Sequence, residues 1–371
     1  MRSGPWPPNH DLSSRLPGVP SLEGLSPAWF GEVMALLASR RDLEERMMSQ
    51  VIGDVIHGSC GDVETAAFLI ALRMKGESAS ELAAAARVLR QTMVPIDTGR
   101  ADILDTCGTG GDERSTFNIS TATAFVAAAA GVPVVKHGNR AVSSCSGSSD
   151  VLSALGVPMP EDQQGIRRCL QSAGLAFCFA PHFHPALRNL TALRKRLRQR
   201  TIFNCLGPLA NPAGANFQLL GVGHGELLDP MAGALARLGI RHAFVVCGND
   251  GTDEVSLHGP TCVREIRGES IASHSWLPAN FGLDPCDLAE LQVSGPEQSA
   301  AVIRGVLAGN EGPAARVVLA NTAVALLAAG KARNLLEGID RSREAIQSGK
   351  AGQVLERLTA MTKAFEQERR R

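Results

Sequence analysis

The sequence predicts an α/β protein in which a small all-helical domain precedes a larger α/β domain with a mostly parallel central sheet. Three observations carry that reading. Apolar runs near residues 101–105, 132–136, 175–180, 218–222 and 242–247 alternate with helix-like stretches, the rhythm of parallel strands buried beneath crossover helices. Residues 28–93 keep a helical pattern throughout. Two loops rich in glycine and hydroxyl residues, around 105–121 and 136–149, each separate a strand-like run from a helix-like one.

Taken in order, residues 1–27 hold six prolines and no apolar stretch, so a loose extension is expected and a secretory signal is not. Asp42 is placed to cap a helix running to Gly58, and Asp62 begins another that stops at Gly76. Ser78-x-x-Glu81 matches a capping box ahead of the alanine-rich run 82–91. After Pro95 the rhythm changes, with helices expected at 121–130, 148–155, 161–172 and 228–238 between the strands. Residues 185–200 read as one long basic helix that interrupts this rhythm, so a domain boundary near 97/98 is joined by a discontinuity. From Gly295 onward the chain is expected to be helical to its charged end.

Composition narrows the function classes. The 37 basic residues balance 37 acidic ones, so no global field draws the chain to nucleic acid or an anionic membrane, and neither partner is expected. The nine cysteines are odd in number, form no CxxC pair and lie partly in apolar runs, which reads as reduced thiols in a cytoplasmic setting. No apolar run is long enough to span a bilayer.

The first loop, Gly108-Thr-Gly-Gly-Asp112, permits positive φ and close approach of a ligand to the main chain. A plain tight turn would explain the glycines alone. The following Ser115, Thr116, Asn118, Ser120 and Thr121 add hydroxyl and amide groups up to a helix start, which favours a phosphate site. In the second loop Lys136 stands at a strand end, where α/β folds place ligands, and is followed by His137, Gly138, Asn139, Arg140 and five serines. That set suits a diphosphate better than a solvated turn. Asp253 and Glu254 follow the last strand of the series; as residues alone they fit either a surface acidic turn or a Mg²⁺ site completed by phosphate oxygens. The cationic stretch from Arg188 to Arg200 reads as a solvated face, a nucleic-acid patch without interleaved aromatic residues to stack bases, or the source of one arginine that binds the carboxylate of a small acid. His182 and His184 lack a third ligand for zinc.

Taken together, Gly-Thr-Gly-Gly-Asp112, Asn118-Ile-Ser-Thr121, Lys136-His-Gly-Asn-Arg140, Ser146-Gly-Ser-Ser-Asp150, Thr201-Ile-Phe-Asn204, Leu206-Gly-Pro-Leu209, Asn211-Pro212 and Asp253-Glu-Val-Ser256 resemble the anthranilate phosphoribosyltransferase family over about residues 25–365. The resemblance implies a fold of the nucleoside-phosphorylase and phosphoribosyltransferase kind. Residues 28–97, joined by helices from about 184–212, would form the small domain; 98–183 and 213–371 would form the large one. It implies a cytoplasmic homodimer that transfers phosphoribosyl from 5-phosphoribosyl 1-diphosphate to the amine of anthranilate, with Mg²⁺, two ions per site, in L-tryptophan biosynthesis. Gly108, Gly111, Asp112, Thr116, Asn118, Ile119, Ser120, Thr121, Lys136, His137, Gly138, Asn139, Ser143, Ser144 and Ser148 would then hold the sugar diphosphate. Ser120, Asp253 and Glu254 would bind the metal, while Gly108, His137, Asn139 and Arg194 would contact anthranilate, with Arg194 on its carboxylate. Lys136, Asp253 and Glu254 would carry catalysis by stabilising the departing diphosphate.

Three positions depart from the family pattern: Glu113 where glycine is usual, Cys145 where lysine is frequent, and Phe183 where tyrosine is frequent. Two other readings are open. A pyrimidine-nucleoside-phosphorylase-like enzyme would not need the Asp253–Glu254 pair, and a non-enzymatic nucleic-acid-binding relative would have degraded phosphate loops.

Overall fold

The structure, a computed structural model, describes residues 26–139, 146–160 and 162–370. Almost all of the expected N-terminal extension lies outside these residues, as do Arg140, Ser143, Ser144, Cys145 and Glu161.

Four helices open the chain: α1 (Phe30–Ala38), α2 (Glu45–His57), α3 (Asp62–Lys75) and α4 (Ala79–Thr92). In α2 the apolar residues Met48, Val51, Ile52, Val55 and Ile56 recur at helical spacing, and all five are buried. The capping box forms at α4: Ser78 Oγ accepts from the Glu81 amide at 3.4 Å, and Glu81 Oε2 accepts from the Ser78 amide at 2.9 Å. Asp42 does not cap α2, which begins three residues later behind Glu44. Its carboxylate instead accepts from Lys75 Nζ at 2.6 Å, an ammonium also bonded to the buried Glu81 at 2.8 Å. A charge-assisted bond to an ammonium shielded from water outweighs a neutral cap.

Beyond α4 come β1 (Leu104–Asp105), α5 (Ile119–Ala129), β2 (Val134–Gly138), α6 (Ser148–Leu155), α7 (Gln163–Ala173), β3 (Leu175–Phe179) and α8 (Ala180–Phe183). The expected basic helix over 185–200 is broken in two. A 3-10 turn, Pro185–Leu190, leads into α9 (Thr191–Leu197), which ends where Arg198 turns left-handed at φ 48°. That reversal frees Arg200 from the helix and scatters the cations, so they form no continuous helical face. After α10 (Ile202–Leu209) follow β4 (Phe217–Gly221), α11 (Leu228–Arg237), β5 (His242–Gly248), β6 (Thr261–Arg267) and β7 (Ser270–Trp276). Four helices close the chain: α12 (Pro296–Leu307), α13 (Pro313–Ala328), α14 (Leu335–Gln347) and α15 (Lys350–Arg370).

The seven strands form one sheet in the order β3-β2-β1-β4-β5-β6-β7. The first five are parallel, and β6 and β7 add an antiparallel hairpin at one edge. The sequence reading did not include this hairpin, whose outer strand β7 is almost wholly exposed and polar. Alternation along β4 divides the core. Leu219 joins the cluster beneath α5 and α13, whereas Leu220 packs with Met231 of α11 and with the opening helices. The helical layer and one sheet face therefore share a single apolar cluster, and the C-terminal ends of β1, β2, β4 and β5 lie along the seam beside it.

Candidate active site

The site begins at Asp105, the last residue of β1, whose carboxylate is fully buried. Oδ1 accepts from the amides of Cys107 at 3.0 Å and His137 at 3.2 Å, and Oδ2 accepts from Asn211 Nδ2 at 2.7 Å. Burial pushes this carboxyl above its ordinary range, against the pull of neighbouring Lys136. Asp105 thereby fastens both strand-end loops to the segment carrying Asn211. Sequence reasoning did not single it out, because one aspartate at a strand end carries no spacing signal.

The glycine loop lies directly against the acidic segment. The Thr109 amide donates to Gly221 O at 2.8 Å, and the Gly110 amide donates to Asp253 Oδ2 at 2.9 Å. A Cβ on Gly108 would stand 2.9 Å from that same Asp253 oxygen, so glycine is what allows this approach. Gly110 and Gly111 are left-handed at φ 64° and 74°. Glu113 is left-handed too, at φ 56°, with its side chain exposed; glycine would sit here without strain.

Lys136 is only 3% exposed, and its Nζ donates to Thr106 O at 3.0 Å and Ser120 Oγ at 3.2 Å. The Ser120 amide donates to Glu254 Oε1 at 3.0 Å. Glycine loop, α5 start, β2 end and acidic pair thus converge through direct bonds. Asn118 is fastened instead of open: Oδ1 accepts from Ser146 and Ser299 hydroxyls, each at 2.8 Å, and Nδ2 donates to Ser146 O at 3.1 Å. Thr116 bridges to Gln292, Ile119 is core, and Thr121 Oγ1 is buried without a partner. At the second loop Ser148 Oγ donates to Asn139 O at 3.3 Å, and a Cβ on Gly138 would lie 2.2 Å from Ser148 Oγ.

Electrostatically the acids are crowded. Burial, then the nearby Asp112 charge, raises Asp253 to about 7; burial, then Asp253, holds Glu254 well above the ordinary carboxylate range. Ionised carboxylates in such a place need a cation. Among the described residues no three His, Cys, Asp or Glu side chains converge to enclose a metal by themselves. Hard oxygen donors, few in number and desolvated, suit Mg²⁺ that also takes phosphate oxygens and water.

A second group of residues flanks this one. His137 Nδ1 donates to Gly207 O at 2.9 Å, which leaves Nε2 as a buried acceptor without a partner. Its ring lies 5.0 Å from that of the buried His184, which also approaches the Ala210 main chain. Burial, then the neighbouring His137, pushes His184 down to about 3, so it is neutral at physiological pH. Arg194 lies over the Phe203 ring at 5.9 Å, and burial pulls its guanidinium below the usual range. Phe183 is buried in the α/β core. Arg200, noticed in sequence only as one of several cations, donates through Nη1 to Gly110 O at 2.6 Å and Gly111 O at 3.1 Å.

Comparison with known proteins agrees with this geometry. Residues 32–93 match the helical bundle domain, and residues 100–352 the a/b domain, of a glycosyl transferase family. Anthranilate phosphoribosyltransferase of Thioalkalivibrio sulfidiphilus is 44% identical over 331 residues, 89% of this chain and 98% of that one. Its counterpart in Anaeromyxobacter dehalogenans is 46% identical over 329 residues, 89% of this chain and 97% of that protein. Among solved structures, the Thermus thermophilus anthranilate phosphoribosyltransferase superposes with TM-score 0.83 at 40% identity, covering 89% of this chain and 99% of its own. The Saccharomyces cerevisiae enzyme, solved in complex with PRPP and Mg, gives TM-score 0.83 at 30% identity over 92% of this chain and 99% of that one.

Proposed function

We propose that this chain, which belongs to the anthranilate phosphoribosyltransferase family, transfers the phosphoribosyl group of 5-phosphoribosyl 1-diphosphate to the amine of anthranilate, releasing diphosphate in L-tryptophan biosynthesis. The observation that carries the proposal is the contact between the Gly108–Gly111 loop and Asp253, with Lys136 and Ser120 bonded beside it.

The diphosphate lies among Gly108, Gly111, Asp112, Thr116, Ser120, Thr121 and Lys136, and main-chain amides of the two loops supply its hydrogen bonds. Asn118 and Ile119 shape this cradle, and Gly138, Asn139 and Ser148 complete it, while Ser143 and Ser144, assigned to the sugar diphosphate by the same resemblance, lie outside the described residues. As the C1′–O bond breaks, charge grows on the diphosphate, and Lys136 is placed to stabilise it once it exchanges a protein oxygen for a phosphate oxygen. Mg²⁺, two ions per site, held through Asp253, Glu254 and Ser120, supplies Lewis-acid neutralisation of the same charge. Anthranilate's amine is neutral at pH 7, so the acceptor side needs orientation more than a base. Arg194 pairs with the anthranilate carboxylate, Asn139 and Gly108 line its ring, and His137 offers an unpaired Nε2 acceptor to the amine. The seam between helical layer and sheet holds both substrates and excludes the water that would hydrolyse the activated sugar. The two domains are then 28–97 with 184–212, and 98–183 with 213–371.

The chain works as a homodimer in the cytoplasm. Val63 and Met74, 77% and 74% exposed three turns apart on α3, offer the apolar face for a second copy. The eight described cysteines, all free, suit a reducing compartment. A fluorescence assay of anthranilate consumption tests the activity: loss of signal only with both 5-phosphoribosyl 1-diphosphate and Mg²⁺ supports it, and consumption independent of the sugar contradicts it.

A further inference from the structure

We propose that Arg200 is a positioning residue that sets the conformation of the glycine-rich loop from the helical side of the site. The inference rests on the transfer reaction proposed above. Two observations meet at Gly110. Its amide is held by the Asp253 carboxylate at 2.9 Å, and its carbonyl is held by Arg200 Nη1 at 2.6 Å. The same nitrogen reaches the Gly111 carbonyl at 3.1 Å. Consecutive peptide units are therefore pinned from opposite sides, one from the acidic segment after β5 and one from the segment between α9 and α10.

Pinning matters because Gly110 and Gly111, left-handed at φ 64° and 74°, have no side chains to hold them there. Nη1 carries two N–H donors, one for each carbonyl, and the rigid guanidinium plane fixes their directions where a freely rotating ammonium would not. Arg200 is itself anchored: its carbonyl accepts from Arg73 Nη1 of α3 at 3.1 Å, and that nitrogen also donates to Gln199 Oε1 at 2.7 Å. A run of bonds thus leads from α3 through Arg200 to Gly110 and on to a metal-binding acid. Its other terminal nitrogen, Nη2, is buried and has no partner. A small shift of α3 against the sheet would accordingly move the loop amides that meet the diphosphate.

Arg200→Gln and Arg200→Lys, measured beside the wild-type chain, test this. Arg200→Gln should raise KM for 5-phosphoribosyl 1-diphosphate at least about tenfold, with KM for anthranilate held within about twofold. The Mg²⁺ concentration for half-maximal rate should rise with it, and Arg200→Lys should recover part of both losses. A fall in melting temperature with both KM values and the Mg²⁺ dependence unchanged would overturn the proposal, as would an equal rise in both KM values. If the wild-type chain fails to transfer, the reaction assigned above is at fault. The same split is then read from calorimetric Kd values for the sugar diphosphate and for anthranilate.

Discussion

The Gly110 amide and the Asp253 carboxylate, 143 residues apart in the chain, meet at 2.9 Å. This bond joins the loop after β1 to the loop after β5 and brings the acidic pair against the glycine-rich loop. A surface acidic turn would have its carboxylates in open water; here both are half-buried, and each accepts from a main-chain amide.

Removing the charge of that pair should stop metal-dependent turnover. For Asp253→Asn and Glu254→Gln, each loss is expected to be about 3 kcal/mol in kcat/KM, the size of losing one electrostatic stabiliser. Steady-state rates across a Mg²⁺ series would show it. Rates equal to wild type in the double variant would take both residues out of the metal site.

A pH dependence follows from the raised acids. In the folded chain Asp253 keeps its proton up to about pH 7, while in the unfolded chain it loses it near pH 4. The unfolded state therefore binds fewer protons between those values, and metal-free stability should fall as pH rises from about 4 to about 7. Mg²⁺ binds the ionised form, so the gain in melting temperature on adding Mg²⁺ should be larger at pH 8 than at pH 5. A gain independent of pH would contradict these carboxyls as ligands.

Gly221→Ala should be severe. An added Cβ would lie 1.5 Å from the main-chain oxygen of Asp253, and backbone atoms cannot swing aside as a side-chain tip does. We expect a loss of about 1–3 kcal/mol in stability, the range for overpacking, together with loss of metal-dependent activity. By contrast, Gly207→Ala meets nothing within 4 Å and serves as the control. Thermal melts and rates of the two variants side by side would decide.

Arg194→Ala should raise KM for anthranilate far more than KM for the sugar diphosphate. Its guanidinium is sheltered over Phe203, where pairing with a carboxylate is strong. An equal effect on both substrates would move Arg194 out of the acceptor pocket.

Much of this was legible in the chain itself. The strand-loop-helix rhythm implied that the segment after β1 and Lys136 of β2 share one sheet edge, and β1 and β2 are adjacent and parallel. The role of Arg200 was hidden, since six cations in 13 residues look alike until Arg198 breaks the helix and turns one of them inward. Asp105 was hidden for a related reason: its partners, Cys107, His137 and Asn211, are drawn together only by the sheet. In the β6–β7 hairpin β6 buries only Thr261, Val263 and Ile266 among charged neighbours, and β7 is almost wholly exposed at the sheet edge, so neither gives a clear apolar run. Asp42 went to an ion pair in place of a cap because the ammonium of Lys75, held at Glu81, comes within 2.6 Å of it.

The most direct measurement is isothermal calorimetry of 5-phosphoribosyl 1-diphosphate titrated into the purified chain, once with Mg²⁺ and once with a chelator. Saturable heat that depends on Mg²⁺ and vanishes in the Asp253→Asn, Glu254→Gln variant is the expected result. Absence of heat from the folded wild-type chain in Mg²⁺ buffer would contradict the cradle and everything built on it.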